Sequence, residues 1–136
     1  MTDTGREEVV REEVARAEEE LRAAAALLTA GIPRVAVTRA YFAVFHMARA
    51  VLYAAGYEPR THEGVLHLLS LHFVKPGKLA VAHGRVLARL HKYRGEADYG
   101  DSFVIDEPAA AEDLVAARDL CERLRALLPD ESNRRE

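Results

Sequence analysis

The segment RAYFAVFHMARA, from Arg39 to Ala50, places two arginines and a histidine inside an otherwise apolar run. The run extends from Pro33 to about Ala55, and a helix over these residues is apolar on nearly every side, which is typical of a central helix. A buried arginine without a partner is strongly unfavourable. The rest of the fold, a second subunit or a charged ligand must therefore compensate Arg39, His46 and Arg49.

Helical spacing of apolar residues continues through the whole chain. Five segments show it, and they cover about residues 6–30, 33–55, 62–73, 78–94 and 107–128. Thr61 and Asp106 are predicted N-caps, and residues 95–106 are predicted to be the longest loop. The sequence therefore predicts an all-α fold, an antiparallel four-helix bundle with an additional short helix, in one domain over 1–136 with a polar tail at about 130–136.

Composition narrows the class of protein. With a formal net charge of −3 over 136 residues, the chain has no overall attraction to nucleic acid. The one cysteine, Cys121, is predicted to be a buried apolar residue of the last helix. The polar N-terminus does not look like a signal peptide, and no apolar segment is expected to reach the roughly 20 residues that cross a bilayer. We expect a cytoplasmic protein without a membrane partner.

Arg39 and His46 lie seven residues apart, so on a helix they point within about 20° of each other. Arg49 lies close to the same line, and we call these three residues the polar strip. Three environments would satisfy it. The first is an internal network, for example with Glu63, Glu96 or Asp98. The second is an interface with a symmetry copy of the chain, and the third is a phosphate site.

The phosphate site has a coherent chemistry. An arginine offers paired donors to a phosphate, and a histidine titrates near neutral pH and can move a proton. Together they could promote attack of a ribose 2′-hydroxyl on the adjoining phosphate without a metal ion. The histidines of the third and fourth helices are spaced unlike metal ligands, so no metal or other cofactor is expected. Arg94 ends a locally basic stretch and is a further candidate for contact with RNA.

Four blocks in this order, RAYFAVFHMARAVLYAAG, THEGV, FVKPGKL and YRGEADYG, resemble the HEPN domain family in its small stand-alone prokaryotic branch. The resemblance runs from about Thr38 to Leu128. It implies a bundle of four to five helices that forms a homodimer. It also implies pairing with a small nucleotidyltransferase as toxin and antitoxin, and in many members a metal-independent RNase activity. The family signature is an arginine and a histidine separated by four to six residues, and Arg39 and His46 have six between them.

Three hypotheses follow from the resemblance. In the first, the protein is a toxin that cleaves RNA through a dimer cleft, with Arg39 and His46 as catalytic residues and Arg49 and Arg94 binding phosphate or RNA. In the second, it is a non-catalytic module that binds a nucleotide or a nucleotidyltransferase. Ala40 favours the second, because active members usually have a polar residue directly after the arginine. In the third, it is an inert dimerisation domain.

Overall fold

Helices make up most of the described chain. The computed structural model describes residues 2–99 and 104–129, with the backbone alone for 96–99. The α-helices are α1 (Asp3–Thr29), α2 (Pro33–Ala54), α3 (His62–Leu69), α4 (Val81–Tyr99) and α5 (Glu107–Arg125), and a π-helical segment, Ser70–Val74, follows α3. The described ranges contain no strand. The predicted all-α fold is confirmed.

A tight turn reverses the chain between α1 and α2. Gly31 has a φ of 79°, in the left-handed region that side chains disfavour, and its N–H donates to the carbonyl of Leu28 at 3.1 Å. Pro33 then occupies the first turn of α2, where its missing N–H leaves no intrahelical bond unmade. The short connection sets the two helices antiparallel along their length.

The centre of the fold is α2, which contacts α1, α3, α4 and α5. Twelve of its residues are buried, including Tyr41, Val44 and Leu52, so the prediction of a central helix is confirmed. By length and composition alone α2 could cross a bilayer, contrary to the expectation that no segment is apolar enough. Its most apolar stretch is 67% buried inside the protein, as in the core helix of a globular fold.

Both predicted N-caps are present. Thr61 Oγ1 accepts a hydrogen bond from the backbone N–H of Gly64 at 2.9 Å, and the Asp106 carboxylate accepts one from Ala109 at 2.9 Å. Each bond satisfies an N–H that the first helical turn leaves without a partner. These caps fix where α3 and α5 begin, and α3 carries residues of the site described below.

The fourth helix differs from its prediction at both ends. It begins at Val81 and not near Lys78, because the chain turns at Gly77, where φ is 87°, and the N–H of Leu79 bonds back to the carbonyl of Phe73 at 2.9 Å. It also runs to Tyr99, so residues 95–99 of the predicted loop 95–106 are helical, while residues 100–103 lie outside the described part of the chain. Gly95 lowers helix propensity but lacks the steric block of a proline, and the helix passes through it.

Cys121 is a buried residue of α5, as predicted. Burial raises the pKa of its thiol to about 12, with a smaller contribution from the neighbouring Glu122. The reactive thiolate is therefore scarce at neutral pH, and the side chain acts as a small apolar group in the core.

Candidate functional site

The polar strip of α2 lies against two acidic residues of α1. Nδ1 of His46 is 2.8 Å from Oε2 of Glu13, and Nη1 of Arg39 is 3.1 Å from Oε2 of Glu20. In each helix the two residues are seven apart, and the order is reversed between the helices, as the antiparallel packing requires. Arg39 and His46 therefore share one face, as their spacing predicts.

Glu13 is the buried centre of the strip. Only 5% of the Glu13 surface is exposed to solvent. Its second carboxylate oxygen, Oε1, accepts a hydrogen bond from Nη1 of Arg49 at 3.2 Å. Arg49 also donates to the hydroxyl of Tyr53 at 3.3 Å. One carboxylate thus binds both a guanidinium and an imidazole, which offsets the cost of burying it. The bond to Nδ1 also fixes the orientation of the His46 ring.

The Arg39 end of the strip is more open. The Arg39 side chain is 35% exposed and that of Glu20 is 17% exposed, whereas the His46 side chain is 14% exposed. The Arg39 guanidinium also lies over the ring of Phe42, 5.0 Å from its centroid. An ion pair of this exposure is weak, so a phosphate could replace Glu20 as the partner of Arg39 at small cost.

Arg94 reaches the same neighbourhood from α4. Its guanidinium lies 5.5 Å from the centroid of Phe42, so Arg39 and Arg94 both contact this ring. Arg49 likewise lies 5.8 Å from the centroid of Phe45, one turn along α2. The structure therefore brings all four predicted site residues to one pair of aromatic rings.

A second polar group adjoins these rings. The buried hydroxyl of Tyr41 lies 2.5 Å from Nδ1 of His62 and 3.2 Å from Nδ1 of His91. Nε2 of His91 faces the carboxylate of Glu63 at 3.8 Å. Side chains of α2, α3 and α4 thus form a continuous series from His62 to Glu63, which we call the tyrosine relay.

The environment of His62 favours the neutral imidazole. Its ring stacks on Phe45, with centroids 4.2 Å apart and planes inclined by 15°. Partial burial lowers the pKa of His62, and the positive charge of Arg94 lowers it further. Burial raises the pKa of Tyr41 well above its usual range, so its hydroxyl stays protonated.

One of the three predicted environments of the strip, an internal network, is present, but its acids are not the expected ones. Glu63 contacts His91 and not the strip, and the side chains of Glu96 and Asp98 lie outside the described part of the chain. The sequence pattern did not identify Glu13 and Glu20 as the partners of the strip. Glu13 is nevertheless buried among apolar residues of α1, which include Val10, Val14 and Ala17.

Two further observations bear on the chemistry. Ala40 is 1% exposed and lies in the hydrophobic core, so a polar side chain there would need a buried partner. Within the described residues, no group of three histidine, cysteine or acidic side chains is arranged to hold a metal ion.

The HEPN domain family matches residues 10–127, a range that contains the strip and its acidic partners. The chain belongs to the HEPN family. The family prediction from the four sequence blocks is therefore confirmed.

Individual HEPN relatives resemble the chain over most of the bundle. A protein of Methanocaldococcus jannaschii whose name designates it a candidate toxin is 38% identical over 93 residues, which cover 68% of this chain and 69% of the relative. A UPF0332 protein of Pyrococcus horikoshii is 39% identical over 80 residues, covering 59% of this chain and 56% of the relative. A second Methanocaldococcus jannaschii protein named as a candidate toxin is 29% identical over 97 residues, which cover 71% of this chain and 66% of the relative.

Proposed function

We propose that this HEPN protein is the toxin component of a toxin–antitoxin pair and that it cleaves RNA at the polar strip without a metal ion. The names of two relatives support a toxin-like role. The observation that carries the proposal is the hydrogen bond between Glu13 and His46, on the same helix face as the partly exposed Arg39. This arrangement combines an oriented proton-transfer group with an anion-binding group.

In the proposed reaction Arg39 binds the scissile phosphate. Its guanidinium leaves Glu20 and donates to phosphate oxygens, where it stabilises the charge that develops as the 2′-hydroxyl attacks. His46 acts as general acid or base through Nε2, for which the described residues provide no hydrogen-bond partner. Glu13 holds the ring by Nδ1 and supplies the countercharge when the ring carries a proton.

Arg49 and Arg94 are proposed to bind the RNA on either side of this phosphate. Arg49, itself part of the strip, lies against the Phe45 ring, and Arg94 lies against the Phe42 ring, which also contacts Arg39. Guanidinium groups on aromatic faces can contact both phosphates and bases, as proteins that bind single strands require. Binding should therefore weaken as the salt concentration rises.

Cleavage of tRNA or mRNA in the presence of a chelator tests this function. Arg39→Ala and His46→Ala should each lower the rate by at least about 100-fold, because each removes a group that acts in the transition state. Arg34→Ala, on the same helix, and His67→Ala, on an exposed position of α3, are the matched controls and should cleave at the native rate. Native rates for the Arg39 and His46 variants would refute the site.

We further propose that the protein acts as a homodimer and binds a nucleotidyltransferase as its antitoxin. Both assignments are what the resemblance to small stand-alone HEPN proteins implies. Light scattering of the purified protein should give the mass of two chains. A purified nucleotidyltransferase encoded beside it should bind the protein and suppress RNA cleavage. A monomeric protein that does not bind this nucleotidyltransferase would contradict the proposal.

A second candidate function is a non-catalytic module that binds a nucleotide. It is favoured by one observation, that all three residues of the strip already have an acidic partner within the chain. A strip that is satisfied in this way can serve a purely structural or binding role. Calorimetry with nucleotides, combined with an absence of RNA cleavage, would support this candidate over the first.

A further inference from the structure

We propose that His62 is the general base of the RNA-cleaving site and that the tyrosine relay carries away the proton it accepts. This inference rests on the proposed RNA cleavage and adds a second histidine to it. His46 then serves as the general acid.

The position of His62 agrees with this role. The imidazoles of His62 and His46 lie 6.0 Å and 6.4 Å from the centroid of Phe42, the ring that also contacts Arg39 and Arg94. Two proton-transfer groups therefore flank the guanidinium groups that would hold the phosphate. Cleavage by a 2′-hydroxyl moves two protons, one from the attacking oxygen and one to the leaving oxygen, and two such groups can serve these two steps.

The neighbours of Tyr41 favour one tautomer of His62. In neutral His91 we place the proton on Nε2, because this atom lies 3.8 Å from the negative charge of the Glu63 carboxylate. Nδ1 of His91 must then accept from the Tyr41 hydroxyl, whose oxygen in turn accepts from Nδ1–H of His62. Nε2 of His62 is left with a lone pair, as a general base requires.

The relay also provides a route for the proton. When Nε2 of His62 takes the proton of the 2′-hydroxyl, its Nδ1 proton can pass to Tyr41, while the Tyr41 proton passes to Nδ1 of His91. The positive charge then rests on His91 beside Glu63, farther from Arg94. The 2′-oxygen bonds to phosphorus, the bond to the 5′-oxygen breaks, and Nε2 of His46 protonates that oxygen. The products are a 2′,3′-cyclic phosphate and a 5′-hydroxyl.

The charged and titratable groups around His62 set the direction of its pH response. Tyr41 and His46 face it from α2, His91 and Arg94 face it from α4, and Glu63 adjoins it on α3. Burial and Arg94 dominate, so the neutral base persists to a pH below its ordinary value. Activity should fall only as the pH drops through this lowered pKa.

The deciding variant is His62→Asn, which keeps a polar atom near the position of Nδ1 and removes Nε2. We expect kcat to fall at least about 100-fold and the acidic limb of the pH profile to disappear. His72→Asn is the control, because His72 stacks on Tyr57 with the same 4.2 Å separation and 15° inclination and also bonds to a tyrosine hydroxyl. It should retain native kcat and the native pH profile.

An RNA with sulfur in place of the bridging 5′-oxygen distinguishes the roles of His62 and His46. Its thiolate leaves without a proton, so His46→Ala should recover cleavage on this RNA, whereas His62→Asn should not. Recovery of His62→Asn, or native kcat for it on ordinary RNA, would overturn the assignment. Native protein that cleaves neither RNA would instead refute the proposed function.

Tyr41→Phe keeps the aromatic packing and the His62 ring, and it tests the relay even if His62→Asn does not fold. Circular dichroism melts establish folding for both variants. We expect kcat of Tyr41→Phe to fall about tenfold with unchanged KM, because proton transfer is impaired while RNA contacts remain. Native kcat in the folded variant would exclude the relay.

Discussion

Two carboxylates are buried among the described residues, and the protein uses them differently. Asp113 of α5 is 7% exposed and has Arg89 of α4 as its partner, at 3.0 Å. Glu13 of α1 is 5% exposed and holds both His46 and Arg49 of α2. Both acids join two helices, but only Glu13 has an imidazole as a partner.

The difference shows what distinguishes a candidate site from a structural ion pair. Burial raises the pKa of Asp113 even though Arg89 opposes the shift, so this pair gains little from its charges. Glu13 instead orients an imidazole on the helix face that carries Arg39. A buried acid is therefore a weak sign of function by itself, and a buried acid that positions a histidine beside an anion-binding group is a stronger one.

The largest expected effect is on stability. Glu13→Gln removes the negative charge from two partners and should lower the free energy of unfolding by about 3 kcal/mol. Asp113→Asn should cost about 1 kcal/mol or less, because the Arg89 side chain is 43% exposed and can turn into water. Urea denaturation measures both. Equal losses would remove the distinction between the two acids.

The same pair of variants should differ in activity. Glu13→Gln is expected to lower kcat for RNA cleavage roughly 100-fold, because an amide cannot supply the countercharge of a protonated His46. Asp113→Asn should leave kcat within about twofold of native, since neither Asp113 nor Arg89 belongs to the strip or the tyrosine relay. Initial rates at a temperature where both variants are folded measure this effect. A large loss in Asp113→Asn would show that the α4–α5 contact also shapes the site.

A smaller effect is expected at the open end of the strip. Glu20→Gln frees Arg39 from a competing carboxylate, so affinity for RNA should rise about fivefold, the worth of an exposed ion pair. Glu18→Gln is the control, because Glu18 pairs with Arg125, away from the strip, and the charge change is identical. Fluorescence anisotropy with labelled RNA gives both dissociation constants. An equal rise in RNA affinity in the two variants would mean that the change in net charge, and not the release of Arg39, causes the effect.

The smallest effect concerns pH. Because the pKa of Asp113 is raised in the folded state, its stabilising contribution is complete below pH 3.8 and is lost as the pH rises through the folded pKa. The stability of the native protein relative to Asp113→Asn should therefore be greater at pH 3.5 than at pH 7. Denaturation at the two pH values measures it, and the reverse trend would mean that Arg89 outweighs burial.

The sequence predicted those features that depend on one helix at a time. The common face of Arg39 and His46 follows from their spacing. The apolar residues on the other sides of the same helix predicted the central position of α2. The caps at Thr61 and Asp106 follow from residue type. The four sequence blocks predicted the family, which the HEPN match confirms.

Features that depend on how helices meet could not be predicted in the same way. Glu13 and Glu20 face the strip only because the turn at Gly31 sets the register between α1 and α2. Their seven-residue spacing matches that of Arg39 and His46, a signal that is visible once the two helices are aligned antiparallel. The assembly of Tyr41, His62 and His91 needs three helices and has no comparable signal in the sequence.

The most direct test of the proposed function is the chemistry of the RNA ends after incubation with native protein in a chelator. We expect fragments with 2′,3′-cyclic phosphate and 5′-hydroxyl ends, with cleavage reduced at least about 100-fold in Arg39→Ala and His46→Ala. Fragments with 5′-phosphate ends, or cleavage that persists at the native rate in both variants, would contradict it.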